Sequence, residues 1–322
     1  MKNEEFGSVQ LRLKDNLSNY NMKSIIIICG CLLGFIISVS AQGHRTDSIV
    51  SEGDYGMVRT NINITYDHTW GGLSDGFSAR VSYQCFKNKI FTLTANGRYH
   101  SVTADFDADD LPSGFSPEAM GLNGTHIMGQ LGLSATARTT LWGKTMLAFG
   151  SVNMDLGEGG YARTSALLMG IVLLRQTKNT QFGIGPLVMV NTNSKVPAFL
   201  VFMYRHRFNE RWLINLYGGM FGIDYTPTRN DLIAIGGDID VKSFYFRPHT
   251  EGLPERCQYR KTSFRSMLKY RRRLKPHLYL EVEGGVSLRM SSRVTGVTGT
   301  TEYFDINLPA APFVQAGVSY AL

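Results

Sequence analysis

The chain has 322 residues, 43% hydrophobic and 11% aromatic, with 34 glycines, four cysteines and a formal net charge of +7 at pH 7. Its basic residues are scattered rather than run together, which excludes the concentrated basic face of a nucleic-acid binder. Four cysteines are too few for a fold built on disulfides.

The first element in chain order is the apolar run in "MKSIIIICGCLLGFIISVSAQG", Met22 to Gly43. Its core, Ile25 to Val39, is shorter than the ~20 residues that cross a bilayer as a helix. Lys23 precedes it, and Val39 and Ala41 stand at the spacing read by signal peptidase. Residues 22–41 are therefore read as a signal peptide cleaved after Ala41. Residues 1–21 carry mixed charge ahead of a second methionine and are read as an upstream extension, with translation starting at Met22. Cleavage removes Lys2, Arg12, Lys14 and Lys23 with Glu4, Glu5 and Asp15, leaving about +6. Cys85 and Cys257 remain. Residues 42–57 form a short leading segment, and 58–322 form one β-domain.

Period-two alternation recurs through that domain. It appears in "VRTNINITY" from Val58, in "FSARVSYQC" from Phe77 and in "THIMGQLGLSATARTTL" from Thr125. The clearest case is "LYLEVEGGVSLRM", where Leu278, Leu280, Val282, Val286, Leu288 and Met290 alternate with Tyr279, Glu281, Glu283, Ser287 and Arg289. These strands exceed the usual five or six residues and suit the 9 to 11 that cross a membrane. Short turns, "KNK" (87–89), "GK" (143–144), "TKN" (177–179), "NER" (209–211) and "RRRLKP" (271–276), interleave with long polar segments at 107–124, 155–161 and 293–311. Short turns on one rim and long loops on the other predict a single transmembrane antiparallel β-barrel. Trp142, Trp212 and tyrosines near strand ends fit interfacial girdles. An even strand count follows if "RWLINLYGGMFGIDYTP" folds back at Gly218 and Gly219. Fourteen strands are favoured, with twelve as the alternative.

The final stretch "FVQAGVSYAL" resembles the terminal strand of single-chain outer-membrane β-barrels of Gram-negative bacteria, although it ends in Leu322 where those chains usually carry an aromatic residue. Residues 198–237, "AFLVFMYRHRFNERWLINLYGGMFGIDYTPTRNDLIAIGG", resemble an uncharacterised barrel family of Bacteroides-type bacteria, which supplies no catalytic or ligand residues. The resemblance implies an outer-membrane location, contact with lipid and lipopolysaccharide, and engagement of the barrel-assembly machinery through the last strand. It implies no cofactor and no nucleic-acid partner.

With the apolar face toward lipid, the other face lines a lumen that includes Arg98, His126, Arg138, Arg205, Arg207, Arg265, Lys269, Glu281, Glu283 and Arg289. Pairing across the 271–276 turn would set Arg265 and Lys269 near Glu281 and Glu283, a self-compensating group. Arg138, Arg205 and Arg207 lack obvious local partners and are the better candidates for solute contact. A cationic lumen predicts a passive channel or transporter for small hydrophilic solutes with weak anion preference. The alternatives are a structural barrel, a cell-surface barrel enzyme, or a soluble secreted binding module.

Enzyme signatures are absent. "GLSDG" around Ser74 lacks the strand-to-helix setting of a nucleophile elbow, and the histidines have no metal-ligand spacing. His100 and Ser101 precede Asp105, Asp107, Asp109 and Asp110, which could hold calcium but read as a solvated loop. Cys85 is expected at the short-turn rim facing lipid, and Cys257 in an accessible long loop, too far apart to bridge.

Overall fold

The computed structural model describes residues 60–190, 198–217, 220–250, 252–297 and 301–321. The expected signal peptide and its cleavage site, Val58 and Arg59, Gly218 and Gly219, and Leu322 lie outside the described residues.

Fifteen antiparallel strands follow one another: β1 (Asn61–Thr69), β2 (Gly72–Lys87), β3 (Phe91–Asp105), β4 (Gly124–Leu141), β5 (Lys144–Gly157), β6 (Gly160–Gln176), β7 (Thr180–Val190), β8 (Ala198–Arg207), β9 (Trp212–Tyr217), β10 (Met220–Tyr225), β11 (Asp231–Phe246), β12 (Cys257–Lys275), β13 (Leu278–Gly296), β14 (Glu302–Asp305) and β15 (Ala311–Ala321). Each pairs with its neighbour from β1 to β13, and β15 joins β13 to β1, closing a fourteen-stranded barrel. The short β14 lies outside this ring and extends the far end of β13. Splitting residues 212–225 at the glycine pair is therefore what makes the count even. β9 and β10 pair along their whole length, with Met220 opposite Tyr217.

Both ends of the ring, Asn61 and Ala321, lie on one rim, here the terminal rim. Its turns are short. At Trp142 and Gly143 both residues have positive φ, 50° and 73°, as the tightest right-twisted hairpins require. The expected turn at 271–276 is shorter than the sequence suggested: Arg271 to Lys275 continue β12, and Pro276 and His277 alone reverse the chain. At the far rim, 155–161 is likewise mostly strand, with only Glu158 and Gly159 between β5 and β6. Cross-strand pairing satisfies the backbone there, and Asp155 points inward to Arg163 rather than out to water.

Alternation decides the faces. Ile62, Ile64, Val81, Tyr83, Leu131, Leu133, Leu268, Val282, Val286, Leu288, Val314 and Val318 are all exposed. Their strand neighbours Asn63, Thr65, Ser82, Gln130, Ser134, Lys269, Glu281 and Glu283 point inward. A continuous exposed apolar belt around a polar interior inverts the arrangement of a water-soluble protein. Trp212 and Tyr225 pack against each other at the terminal rim in a tilted arrangement, their ring centroids 4.5 Å apart.

Among the described residues the far rim carries an apolar core. Leu73, Val102, Phe106, Leu111, Met120, Leu122, Phe244, Phe246, Cys257, Tyr259, Val294, Phe304, Ile306 and Leu308 form one buried apolar core there. It is drawn from the far ends of β2, β3 and β11 to β13 and from the two long loops. The loops also bond to each other and to the wall: Asn307 N–H donates to the Asp110 carbonyl at 2.9 Å, and Ile306 N–H to the Ser292 carbonyl at 2.9 Å. Within the first loop, Ser116 donates to Glu118 at 2.7 Å and holds that exposed carboxyl below its usual range. Asp107 and Asp110 cap a single 3-10 turn at Ala108–Asp110. Cys257 corrects the expectation of an accessible thiol. It begins β12 inside this core and is fully buried, while Cys85 is exposed on the outer face near the terminal rim.

Candidate functional site: the charged barrel interior

Register aligns one transverse row of inward residues: Asn63 on β1, Arg80 on β2, Arg98 on β3, Gln130 on β4, Asp155 on β5 and Arg163 on β6. At one end of the row Asp155 is saturated. It accepts from Gln130 at 2.8 Å, Arg163 at 3.0 Å and the Tyr245 hydroxyl at 3.0 Å. At the other end Arg80 and Arg98 stand directly opposite each other on adjacent strands. Like charges in that relation repel. Arg98 Nε donates to Ser78 at 3.1 Å, and among the described residues neither arginine forms an ion pair. Both side chains are exposed although they point into the barrel, so water reaches this part of the interior.

They border a cavity of about 250 Å³ whose lining also includes Asp67, His100, Asp240, Lys242 and Arg265. Lys242 reaches across from β11 to pair with Asp67 on β1, and Arg265 pairs with Asp238. These two bridges cancel locally, so Arg80 and Arg98 leave the cavity cationic against the remaining acid, Asp240. His100 is buried, and its Nδ1 has no hydrogen-bond partner.

The residues predicted for the lumen divide into distinct places. Arg98 borders the cavity. Lys269 Nζ lies 3.0 Å from Glu281 and 2.6 Å from Glu283, as the strand pairing suggested. Arg265 does not join them. Its Nε and Nη2 bond Asp238 at 3.1 and 3.0 Å, its Nη1 bonds Gln315 at 3.2 Å, and its guanidinium lies 5.0 Å from the Phe313 ring centre. β12 has two neighbouring strands, and the carboxylate on β11 takes this arginine. Arg289 donates to the Ile306 carbonyl at 2.7 Å and so anchors the far loop. His126 belongs to the far-rim seal: it is 5% exposed, its Nε2 is 2.9 Å from the Leu122 carbonyl, and its ring stacks on Phe244 at 4.0 Å. Arg205 stands between Gln181 and Asn215 on the inner wall, and Arg207 and Arg138 lie toward the terminal rim. None of these three is free of partners, contrary to the expectation from sequence.

Arg80 was not among the predicted lumen residues. Its signal was present, since it alternates with Ala79 and Val81, but its position opposite Arg98 depends on a register that passes a bulge between Gln84 and Phe86.

No protein-family model matches the chain, and no curated protein matches it. Solved structures with a similar arrangement include an outer membrane channel from Pseudomonas putida F1, 12% identical, with 84% of this chain and 100% of that chain covered at a TM-score of 0.41. The Pseudomonas putida toluene transporter TodX is 11% identical over 82% of this chain and 89% of its own, at 0.40. The outer membrane phospholipase A from Escherichia coli is 13% identical over 82% and 96%, at 0.34. Scores this low carry no activity from any of them to this chain.

Proposed function

We propose that this chain is an outer-membrane β-barrel of a Gram-negative envelope that passes small hydrophilic solutes with a weak preference for anions. The observation that carries the reading is the pair Arg80 and Arg98, two cations facing each other in a water-exposed interior cavity. An anion between them relieves their repulsion, and cationic constrictions select anions. The exposed apolar belt supports contact with lipid and lipopolysaccharide, and β15, paired on both edges at the closing seam, suits recognition by barrel-assembly machinery. Delivery would use the signal peptide cleaved after Ala41.

The far-rim core favours a second reading, a structural barrel that does not conduct. One experiment addresses both. Purified barrel is recorded in planar bilayers under a salt gradient, and Arg80→Glu with Arg98→Glu is expected to move the reversal potential toward cation preference. A potential unmoved by both changes removes these arginines from the path, and absence of conductance supports the structural barrel.

A further inference from the structure

The barrel wall is not of even height. β9 and β10 have six residues each and reverse at the level of Tyr217 and Met220, while their neighbours continue. β8 pairs with β9 only from Met203 to Arg207, so 198–202 are held by β7 alone. β11 pairs with β10 only from Ile233 to Gly237, so 238–246 are held by β12 alone. Of these, Phe244, Tyr245 and Phe246 are buried at the far rim, which leaves 238–243 as a free edge. Five residues of β8 and six of β11 therefore flank a notch two strands wide and roughly 12 Å high along its shorter flank, from ~3.3 Å per residue on a tilted strand. Among the described residues neither edge has a strand partner.

Two observations say what the notch meets. Outward side chains on both flanks remain apolar and exposed above its floor: Leu200 is 63% exposed, Phe202 50%, Ile239 49% and Val241 43%. The notch thus opens within the apolar belt. Six-residue strands rise about 15 Å, well short of an apolar band of about 25 Å. Behind the opening, the interior breaks its own pattern. Ile171, Leu173, Leu187, Val201 and Met203 form a buried apolar cluster on the inner faces of β6, β7 and β8. Phe199, on the same face as Val201, is 43% exposed at the edge of the notch.

Strand edges at membrane depth are tolerated only where they are buried in protein or line a water-filled cavity, and on the β11 side Asp240, Val241 and Lys242 line the interior cavity. Behind the β8 flank the lining is apolar, while the β11 flank carries the inward Asp238, Asp240 and Lys242 of the charged cavity, so the two flanks present an apolar wall and a polar one, as an amphiphile requires. We propose that the notch is a lateral portal through which the acyl chain of a bilayer amphiphile enters and lies against Phe199 and the cluster behind it. The inference rests on the membrane reading above and not on conductance. The competing occupant is a second copy of this chain pairing with the free edges.

The test uses the full chain in phosphatidylethanolamine–phosphatidylglycerol liposomes doped with diazirine-tagged palmitic acid, irradiated and mapped by peptide mass spectrometry. Label is expected on inward positions within 167–173 and 199–203. Val201→Trp should lower that label about fivefold, equivalent to ~1 kcal/mol of binding, while label on the outward face of 278–290 stays constant and reports a folded, inserted barrel. If Val201→Trp does not insert, Phe199→Trp takes its place. Label confined to outward positions, or inward label unmoved by the tryptophan, overturns the portal. Disulfide-linked dimers of Leu200→Cys that form at the expense of inward label would overturn it too, by assigning the notch to a second copy. Ion flow is not read here, so failure of the portal leaves the channel reading standing, and the reverse also holds.

Discussion

Replacing Lys269 with methionine tests whether the interior charges act as a compensated group. Lys269 sits within 3.0 Å of Glu281 and 2.6 Å of Glu283, with its side chain 27% exposed and theirs 26% and 5%. The substitution keeps the volume of the chain but leaves two carboxylates on one face with no cation between them. Removing one member of a buried ion pair costs about 3–5 kcal/mol. Two of these three groups retain a quarter of their exposure, so solvent screening lowers the expectation to about 2–3 kcal/mol. The cost comes from the stranded charges rather than from a lost attraction, so removing the charges should recover it. Lys269→Met with Glu281→Gln and Glu283→Gln is expected to lie within about 1 kcal/mol of the parent, because neutral replacement of a whole buried ionic group is often without cost. The assay is equilibrium urea unfolding of the refolded barrel in detergent micelles, followed by tryptophan fluorescence and by the heat-modifiable gel shift. A loss below 1 kcal/mol in the single variant refutes the reasoning. So does a triple variant as unstable as the single one, since that would place the cost in packing rather than charge.

Val282, 39% exposed on the outer belt, should lose about 2–4 kcal/mol on replacement by arginine, whereas Arg98→Lys on the inner face should stay within about 0.5 kcal/mol; equal effects in the same unfolding assay would contradict the assigned faces. Phe244→Ala removes a fully buried ring that stacks on His126 and packs on Tyr259 at 5.0 Å. It should cost about 3–5 kcal/mol and, by loosening the far-rim seal, raise the conductance measured in planar bilayers; unchanged conductance in a variant that still inserts would mean that this core does not block the mouth.

Much of the barrel was legible because its physics is local. A strand between lipid and a polar interior must alternate, so the run Leu278 to Met290 shows its lipid face without any knowledge of its neighbours. The glycine pair inside residues 212–225 similarly exposes a reversal where hydrophobicity alone shows one long strand. What was not legible is which neighbour a side chain chooses. Arg265 lies between β11 and β13, and only the far side of the wall reveals Asp238 as its partner. Ser287 alternates as an inward residue, yet it is 4% exposed because inward does not mean wet where Arg265 lies opposite. The far loops read as polar on average, and averaging hid Leu111, Met120, Leu122, Ile306 and Leu308, which are buried in the far-rim core.

The lateral notch has a sequence signature of its own, and it lies where alternation fails. In "SALLMGIVLLRQ", residues 165–176, apolar side chains fill both faces of one strand: Leu168, Val172 and Leu174 point outward, and Leu167, Met169, Ile171 and Leu173 inward. Strands buried on both faces read as continuous apolar runs. In a membrane barrel the outer face is accounted for by lipid, so the inner one requires an apolar neighbour of its own. Leu187, Val201 and Met203 supply part of it. Leu147, Met189 and, on β9, Tyr217 supply more, and above Tyr217 the six-residue strands leave Phe199 of β8 43% exposed. A run that fails to alternate, followed within fifty residues by two strands too short to span, therefore describes one feature twice: an apolar interior and the break in the wall that gives lipid access to it.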